Sequence, residues 1–201
     1  MNYEVRKFQT LVLVILLCLM MCACGKSDAA QAADDLIMEI GTVTKHSEQH
    51  IVTAEAAVAK LTDREKKHLE NYTILTDARA RYSQLLIDEV IKAIEDIGVV
   101  TLESDYAISS ARKVYDNLDP TLQTRVSNSG KLAAAEEAYF QLKVDFVENA
   151  INAIGKVTYN SDAVINKARG AYESAEELVK SAVNNYGVLV SAEESLYPSV
   201  L

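Results

Sequence analysis

Ile97-Gly98-Val99-Val100-Thr101 repeats Ile40-Gly41-Thr42-Val43-Thr44 and is repeated in Ile154-Gly155-Lys156-Val157-Thr158. The three glycines stand 57 residues apart, and the surrounding chain aligns at that offset without a gap. Ser47, Ser104 and Ser161 follow, each trailed by an acid: Glu48, Asp105 and Asp162. Ile51, Ile108 and Ile165 come next, then Ala54, Ala111 and Ala168. Farther on the register holds through Asn71, Asn128 and Asn185, then Leu75, Leu132 and Leu189, then Ala78, Ala135 and Ala192. A fixed period of this length is the signature of a repeat architecture.

The middle copy shows what one unit is. Asp88 to Ile97 reads as a helix that Gly98 stops from its C-terminal side. Val99 to Glu103 is the connection, with Thr101 or Ser104 as the expected N-cap and Asp105 well placed in the first turn. A second helix presents Ile108, Ala111, Tyr115 and Leu118 at spacings of 3, 4 and 3, and Asp119-Pro120 breaks it. A short helical turn over Leu122 to Val126 is expected before a third helix presents Leu132, Ala135, Tyr139 and Leu142. Each stripe is wide enough for one packed face.

Three such stripes predict an all-α fold of three tandem three-helix bundles. The bounds are 32–87, 88–144 and 145–201. A unit of this size buries only about 60% of its surface and is marginal alone, so stacking is expected to help. No glycine or proline interrupts Leu75 to Ile97 or Leu132 to Ile154. The helices therefore read as shared across the joins, and the bundles as stacked end to end in an elongated rod. No cell-wall sorting signal and no second membrane span is read in the sequence up to Leu201.

The pattern Ile-Gly-x-Val-Thr, then Ile108-x-x-Ala111-Arg112-x-x-Tyr115 and Ile165-x-x-Ala168-Arg169-x-x-Tyr172, then Asn-x-x-x-Leu-x-x-Ala, resembles the tandem three-helix modules of Gram-positive surface proteins. The likeness covers residues 32–201. It implies a spacer, a scaffold or an adhesive stalk, and brings no shared catalytic residues. The first unit departs most, with Glu55 in place of the arginine and Val58 in place of the tyrosine.

The beginning of the chain gives an address. Arg6 and Lys7 precede the apolar run Leu11 to Met21, which is too short for an ordinary membrane-spanning helix and suits a signal peptide. The following Met21-Cys22-Ala23-Cys24-Gly25-Lys26-Ser27-Asp28 resembles a bacterial lipobox. That resemblance implies a cleaved signal over 1–23 and a diacylglycerol, with palmitate-like chains, on Cys24. Residues 24–31 then read as a lipidated tether. A seven-residue stretch reaches at most about 25 Å. The expected location is the extracytoplasmic face of the cell membrane, with the bilayer as partner through acylated Cys24.

Composition narrows the chemistry. The net charge is −9, and about −10 without the signal, with no basic stripe to match a phosphate backbone. Nucleic acid is therefore not an expected partner. All three cysteines lie in the signal region, which leaves no disulfides for the repeats. His46 and His50 have a spacing that zinc could use, but no third ligand stands at a motif distance, and the other units lack them. His68 falls in the polar run Asp63 to His68 and is expected to be exposed. Glu136-Glu137 and Glu193-Glu194 are adjacent on a helix and do not face each other as an acid–base pair would. No cofactor, metal or catalytic group is expected. Tyr82, Tyr115, Tyr139 and Tyr172 fall on core stripes, whereas Tyr72, Tyr106, Tyr159 and Tyr186 fall near helix starts and are candidate partner contacts. The expected function is a non-enzymatic membrane-anchored spacer or scaffold. The alternative is a module that binds a host or envelope protein through one repeat face.

Overall fold

The computed structural model describes residues 26–196. The expected signal peptide, Cys24 and residues 197–201 lie outside the described residues. Ten helices and no strand occur among the described residues, and the fold is all-α. None of these helices is long and apolar enough to cross a membrane. The chain divides into two compact units, one up to Leu86 and one from Ile87.

The first unit starts with α1 (Asp28–Glu39), where the Ser27 hydroxyl caps the Ala30 N–H at 3.1 Å. Helix α2 (Glu48–Ala59) follows, then the single turn α3 (Asp63–Lys66). Thr62 and Glu65 close a capping box around α3, each side chain accepting from the other's backbone N–H. The chain then enters α4 (Tyr72–Glu95), and the unit boundary falls inside this helix. Ala30, Ala33, Ile37 and Ile40 meet Ile51, Ala54 and Val58, and Leu75, Ala78 and Tyr82 complete the core. Burial of each larger aliphatic side chain contributes about 1.5–3 kcal/mol relative to exposure.

The second unit contains the rest of α4, then α5 (Asp105–Asp116), α6 (Pro120–Gln123) and α7 (Ser129–Asn152). Helices α8 (Asp162–Glu173), α9 (Glu177–Ala182) and α10 (Tyr186–Leu196) complete it. Helix α7 packs against α5 as well as against α8, α9 and α10. Its Leu132 and Ala135 are buried toward one end, and Val144, Val147 and Ile151 toward the other. The latter join Ile165, Ala168, Val179, Val183, Leu189 and Ala192 in one core.

The buried positions recur with the sequence period. Ala30, Ile37, Ile51, Leu75 and Ala78 correspond to Ile87, Ile94, Ile108, Leu132 and Ala135, then to Val144, Ile151, Ile165, Leu189 and Ala192, and all are buried. The connections recur too. Gly41, Gly98 and Gly155 have φ of 57°, 62° and 57°, and no other described residue has positive φ. An L side chain is disfavoured there, which is why the glycine marks the register.

Two local readings change. Ser104 stands at the N-cap position but makes no side-chain cap bond; neither do Ser47 and Ser161. Their hydroxyls turn back and accept the N–H of Thr44, Thr101 and Thr158, each at 2.9 Å. These serines are at most 7% exposed. The Thr-x-x-Ser spacing therefore seals the connecting turn, using an oxygen that would otherwise be buried unpaired. Pro120 does end the second helix of the middle repeat, but it also opens α6 at the first helical position, where proline's missing N–H costs nothing.

The segment read as a tether is partly ordered. Helix α1 begins at Asp28, so residues 28–31 are helical. Ser27 donates to Glu65 at 2.8 Å, and Lys26 forms an ion pair with Asp34. Only Cys24 and Gly25 of the expected tether precede these fixed groups, and both lie outside the described residues.

Candidate functional site

Every sequence repeat carries a guanidinium–carboxylate clasp between two helices: α2 and α4, α5 and α7, α8 and α10. In repeat three, Arg169 on α8 meets Glu193 on α10, with Nε–Oε1 at 2.7 Å and a second, shorter bond from Nη2 to Oε2. In repeat two, Arg112 meets Glu136 through two bonds of 2.7 Å. In repeat one the charges exchange ends. Glu55 on α2 occupies the arginine position, and Arg79 on α4 occupies the glutamate position, with bonds of 2.7 and 2.5 Å. The planar fork of arginine suits two parallel bonds to one carboxylate.

Rings stand beside the clasps. Arg79 lies 5.9 Å from the Tyr82 centroid, Arg112 lies 5.3 Å from Tyr115, and Arg169 lies 5.9 Å from Tyr172. Such contacts contribute about 0.5–1 kcal/mol at exposed sites. Repeat three adds a second ring. Tyr172 and Tyr186 stack with centroids 4.3 Å apart and planes 24° from parallel. Arg169 is 5.5 Å from Tyr186, and Lys180 is 5.9 Å from Tyr172. The hydrogen bonds it donates to Glu193 and then to Tyr186 raise Arg169 above the ordinary arginine range. The same guanidinium holds the Glu193 carboxyl below the ordinary carboxylate range. Both groups therefore stay charged at neutral pH, which suits a fixed brace and not a proton donor or acceptor.

Repeat one is open at the corresponding place. Val58 stands where repeat three has Tyr172, and a hollow of about 450 Å³ is lined by Glu55, Val58, Ala59, Lys66, Leu69, Tyr72 and Leu75. Tyr72 occupies the Tyr186 position and is 49% exposed. Another hollow, about 560 Å³, runs along α7 and α8 beside Phe146 and Gly170.

The residues just before α4, α7 and α10 are also tied back to α1, α4 and α7. Asn128 Nδ2 donates to the Ile91 carbonyl and Asn185 Nδ2 to the Glu148 carbonyl, both at 2.9 Å. The Oδ1 atoms of both asparagines are buried without a bond. In repeat one the donor is main chain and the acceptor a side chain. The carboxylate of Asp34, only 1% exposed, accepts the N–H of Glu70 at 3.1 Å and of Asn71 at 3.0 Å. Burial pushes the Asp34 carboxyl up, but Lys26 and the two N–H groups more than offset it, so it ends below the ordinary range.

The tyrosines expected as partner contacts separate. Tyr106 and Tyr159 are 82% and 89% exposed. Tyr72 is half-exposed and lines the hollow. Tyr186 is half-buried and stacked against Tyr172, a ring partner that the helix-start position did not reveal. Of the expected core tyrosines, Tyr82 is buried and Tyr115, Tyr139 and Tyr172 are half-buried. His46 precedes α2 and His50 lies within it; both are exposed, as is His68. Among the described residues no group of three His, Cys, Asp or Glu side chains is placed to hold a metal ion. Cys24 lies outside the described residues.

The clasps and the empty ring position were missed by reading helix faces one at a time. The signal was available in the sequence: Glu55/Arg79, Arg112/Glu136 and Arg169/Glu193 all share one spacing and keep opposite charges when the first pair reverses. No protein-family model, curated protein or solved structure matches the chain.

Proposed function

We propose that the protein is a non-enzymatic helical scaffold, anchored by lipid on Cys24 at the extracytoplasmic face of a bacterial membrane. Its repeats form three tandem three-helix bundles joined through shared helices into an elongated rod. The observation that carries this reading is the use of the recurring polar residues. The Arg–Glu clasps, the Thr-x-x-Ser turns and the helix-to-helix ties all hold the repeats' own helices together. A chain that invests the same groups three times in internal bracing is suited to displaying a stiff body.

Cys24→Ala tests the anchor. Metabolic labelling with a fatty acid and retention in the membrane fraction are expected to disappear together. Undiminished labelling would remove Cys24 from the account. Small-angle scattering tests the rod: an elongated distance distribution is expected, and a compact globule would contradict it.

A second reading, capture of a partner protein, is favoured by the solvent-facing Tyr106 and Tyr159. Large aromatic rings left in water are a feature of interface anchors. Substitution of both by serine is expected to abolish partner binding while leaving the fold intact. Unchanged binding would exclude these two rings as the anchors.

A further inference from the structure

We infer that the hollow of repeat one is a receptor for an aromatic side chain presented by a partner polypeptide. The occupant is read from the protein's own third repeat. Each residue lining the hollow has a counterpart two periods later: Glu55 and Arg169, Val58 and Tyr172, Ala59 and Glu173, Lys66 and Lys180, Leu69 and Val183, Tyr72 and Tyr186, Leu75 and Leu189. In repeat three the corresponding place is filled by the phenol ring of Tyr172.

That ring is held from several sides. Tyr186 stacks on it at 4.3 Å, Lys180 lies 5.9 Å from its centroid, and Val183 and Leu189 belong to the core on which it packs. Repeat one keeps the stacking tyrosine in Tyr72, the ammonium in Lys66 and the apolar floor in Leu69 and Leu75. The ring itself is missing, because Val58 is too short to supply it, and Glu55 and Ala59 replace the third repeat's Arg169 and Glu173. Tyr72 is left 49% exposed in consequence. A ring on Tyr72 gains the offset-stacked geometry that aromatic pairs favour, and Lys66 adds a cation beside it. Glu55 is already engaged by Arg79 in two bonds, so its carboxylate offers little to a cationic guest. The chemistry therefore selects a flat, uncharged ring, with Lys66 available to a phenolic oxygen.

This inference gives the partner-binding reading a location separate from Tyr106 and Tyr159, and it is independent of the lipid on Cys24. Its probe is p-cresol, the side chain of tyrosine as a free molecule, titrated into the full chain and followed by amide NMR shifts. Saturable shifts confined to Val58, Lys66, Leu69, Tyr72 and Leu75 are expected, with a Kd on the order of 1 mM for so small a ligand. Val58→Tyr installs the third repeat's ring and is expected to remove the saturable shifts while the helical circular dichroism stays unchanged. Tyr72→Ala removes the stacking platform and is expected to weaken binding at least tenfold, which preserves the test if Val58→Tyr does not fold. Absence of saturable shifts in the wild type, persistence of them in Val58→Tyr, or equal binding of cyclohexanol would overturn the inference. None of these outcomes touches partner capture through Tyr106 and Tyr159, which the serine variants test separately.

Discussion

Repeat three closes its flank with two stacked tyrosines and an arginine that serves both, whereas repeat one presents a single tyrosine beside a hollow. The underlying frame is the same. Ile51 and Ile165, Ala54 and Ala168, and Leu75 and Leu189 are buried at matching positions. The difference shows that the apolar positions define the helical frame, while the flanking rings decide whether its surface is sealed. The clasps add a second lesson. Glu55–Arg79 and Arg169–Glu193 join the same two helix positions with the charges reversed. The frame needs opposite charges there and is indifferent to which helix carries which.

The largest predicted effect lies in the buried carboxylate of repeat one, whose counterpart in repeat three, Glu148, accepts the Asn184 N–H at an exposed position. Asp34→Ala leaves two backbone N–H groups and Lys26 without their buried acceptor, and is expected to cost about 2–4 kcal/mol. Urea unfolding measures it, and a loss below about 1 kcal/mol would make this tie incidental. The same carboxyl gives a pH dependence. Its pKa is lower in the folded state than in the unfolded state, so the folded state binds fewer protons in this range. The stabilisation is complete above the ordinary aspartate value of about 4 and is lost as the pH falls through the folded value. Asp34→Asn is expected to flatten that acid limb of the stability profile.

A smaller effect should separate the two clasps. Arg169 is 27% exposed, bonds to Glu193, Glu173 and Tyr186, and stands beside two rings. Arg79 is 35% exposed and bonds to Glu55 beside one ring, Tyr82. Arg169→Met is expected to cost about 1–3 kcal/mol and Arg79→Met about 0.5–1 kcal/mol. Equal losses in denaturant titrations would deny the rings of repeat three any part in holding the arginine.

Glycines give the smallest effects, with opposite signs inside one repeat. Gly155→Ala forces a side chain into φ of 57° and is expected to destabilise by about 1 kcal/mol. Gly170 lies inside α8, and a Cβ added there meets nothing within 4 Å. Repeat one already has Ala56 at that position. Gly170→Ala is therefore expected to stabilise by about 0.5–1 kcal/mol. Thermal melts of the two variants should move in opposite directions.

Much of the frame was legible because apolar spacing reports a helix face directly. Gly98 and Ile108 announced a turn and a core position, and both are found there. Ser104 does stand at the N-cap, but a serine before an acid looks the same whether its hydroxyl points forward to cap α5 or back to Thr101. The hollow was less legible still. Val58 registers in sequence only as a departure from tyrosine, and its meaning depends on Tyr72 lying across from it, which requires the folded chain. The stacking of Tyr186 is hidden for the same reason, since its partner lies on another helix.

The exchanged clasp shows whether repeat one is the same frame as its sisters with reversed charges. Glu55→Arg, Arg79→Glu and the double variant should be compared by chemical denaturation. Each single change sets like charges against each other and is expected to cost about 1–2 kcal/mol, while the double change recreates the Arg112–Glu136 arrangement and should return to within about 0.5 kcal/mol of the wild type. A double variant that loses the sum of the two single effects would contradict the shared frame.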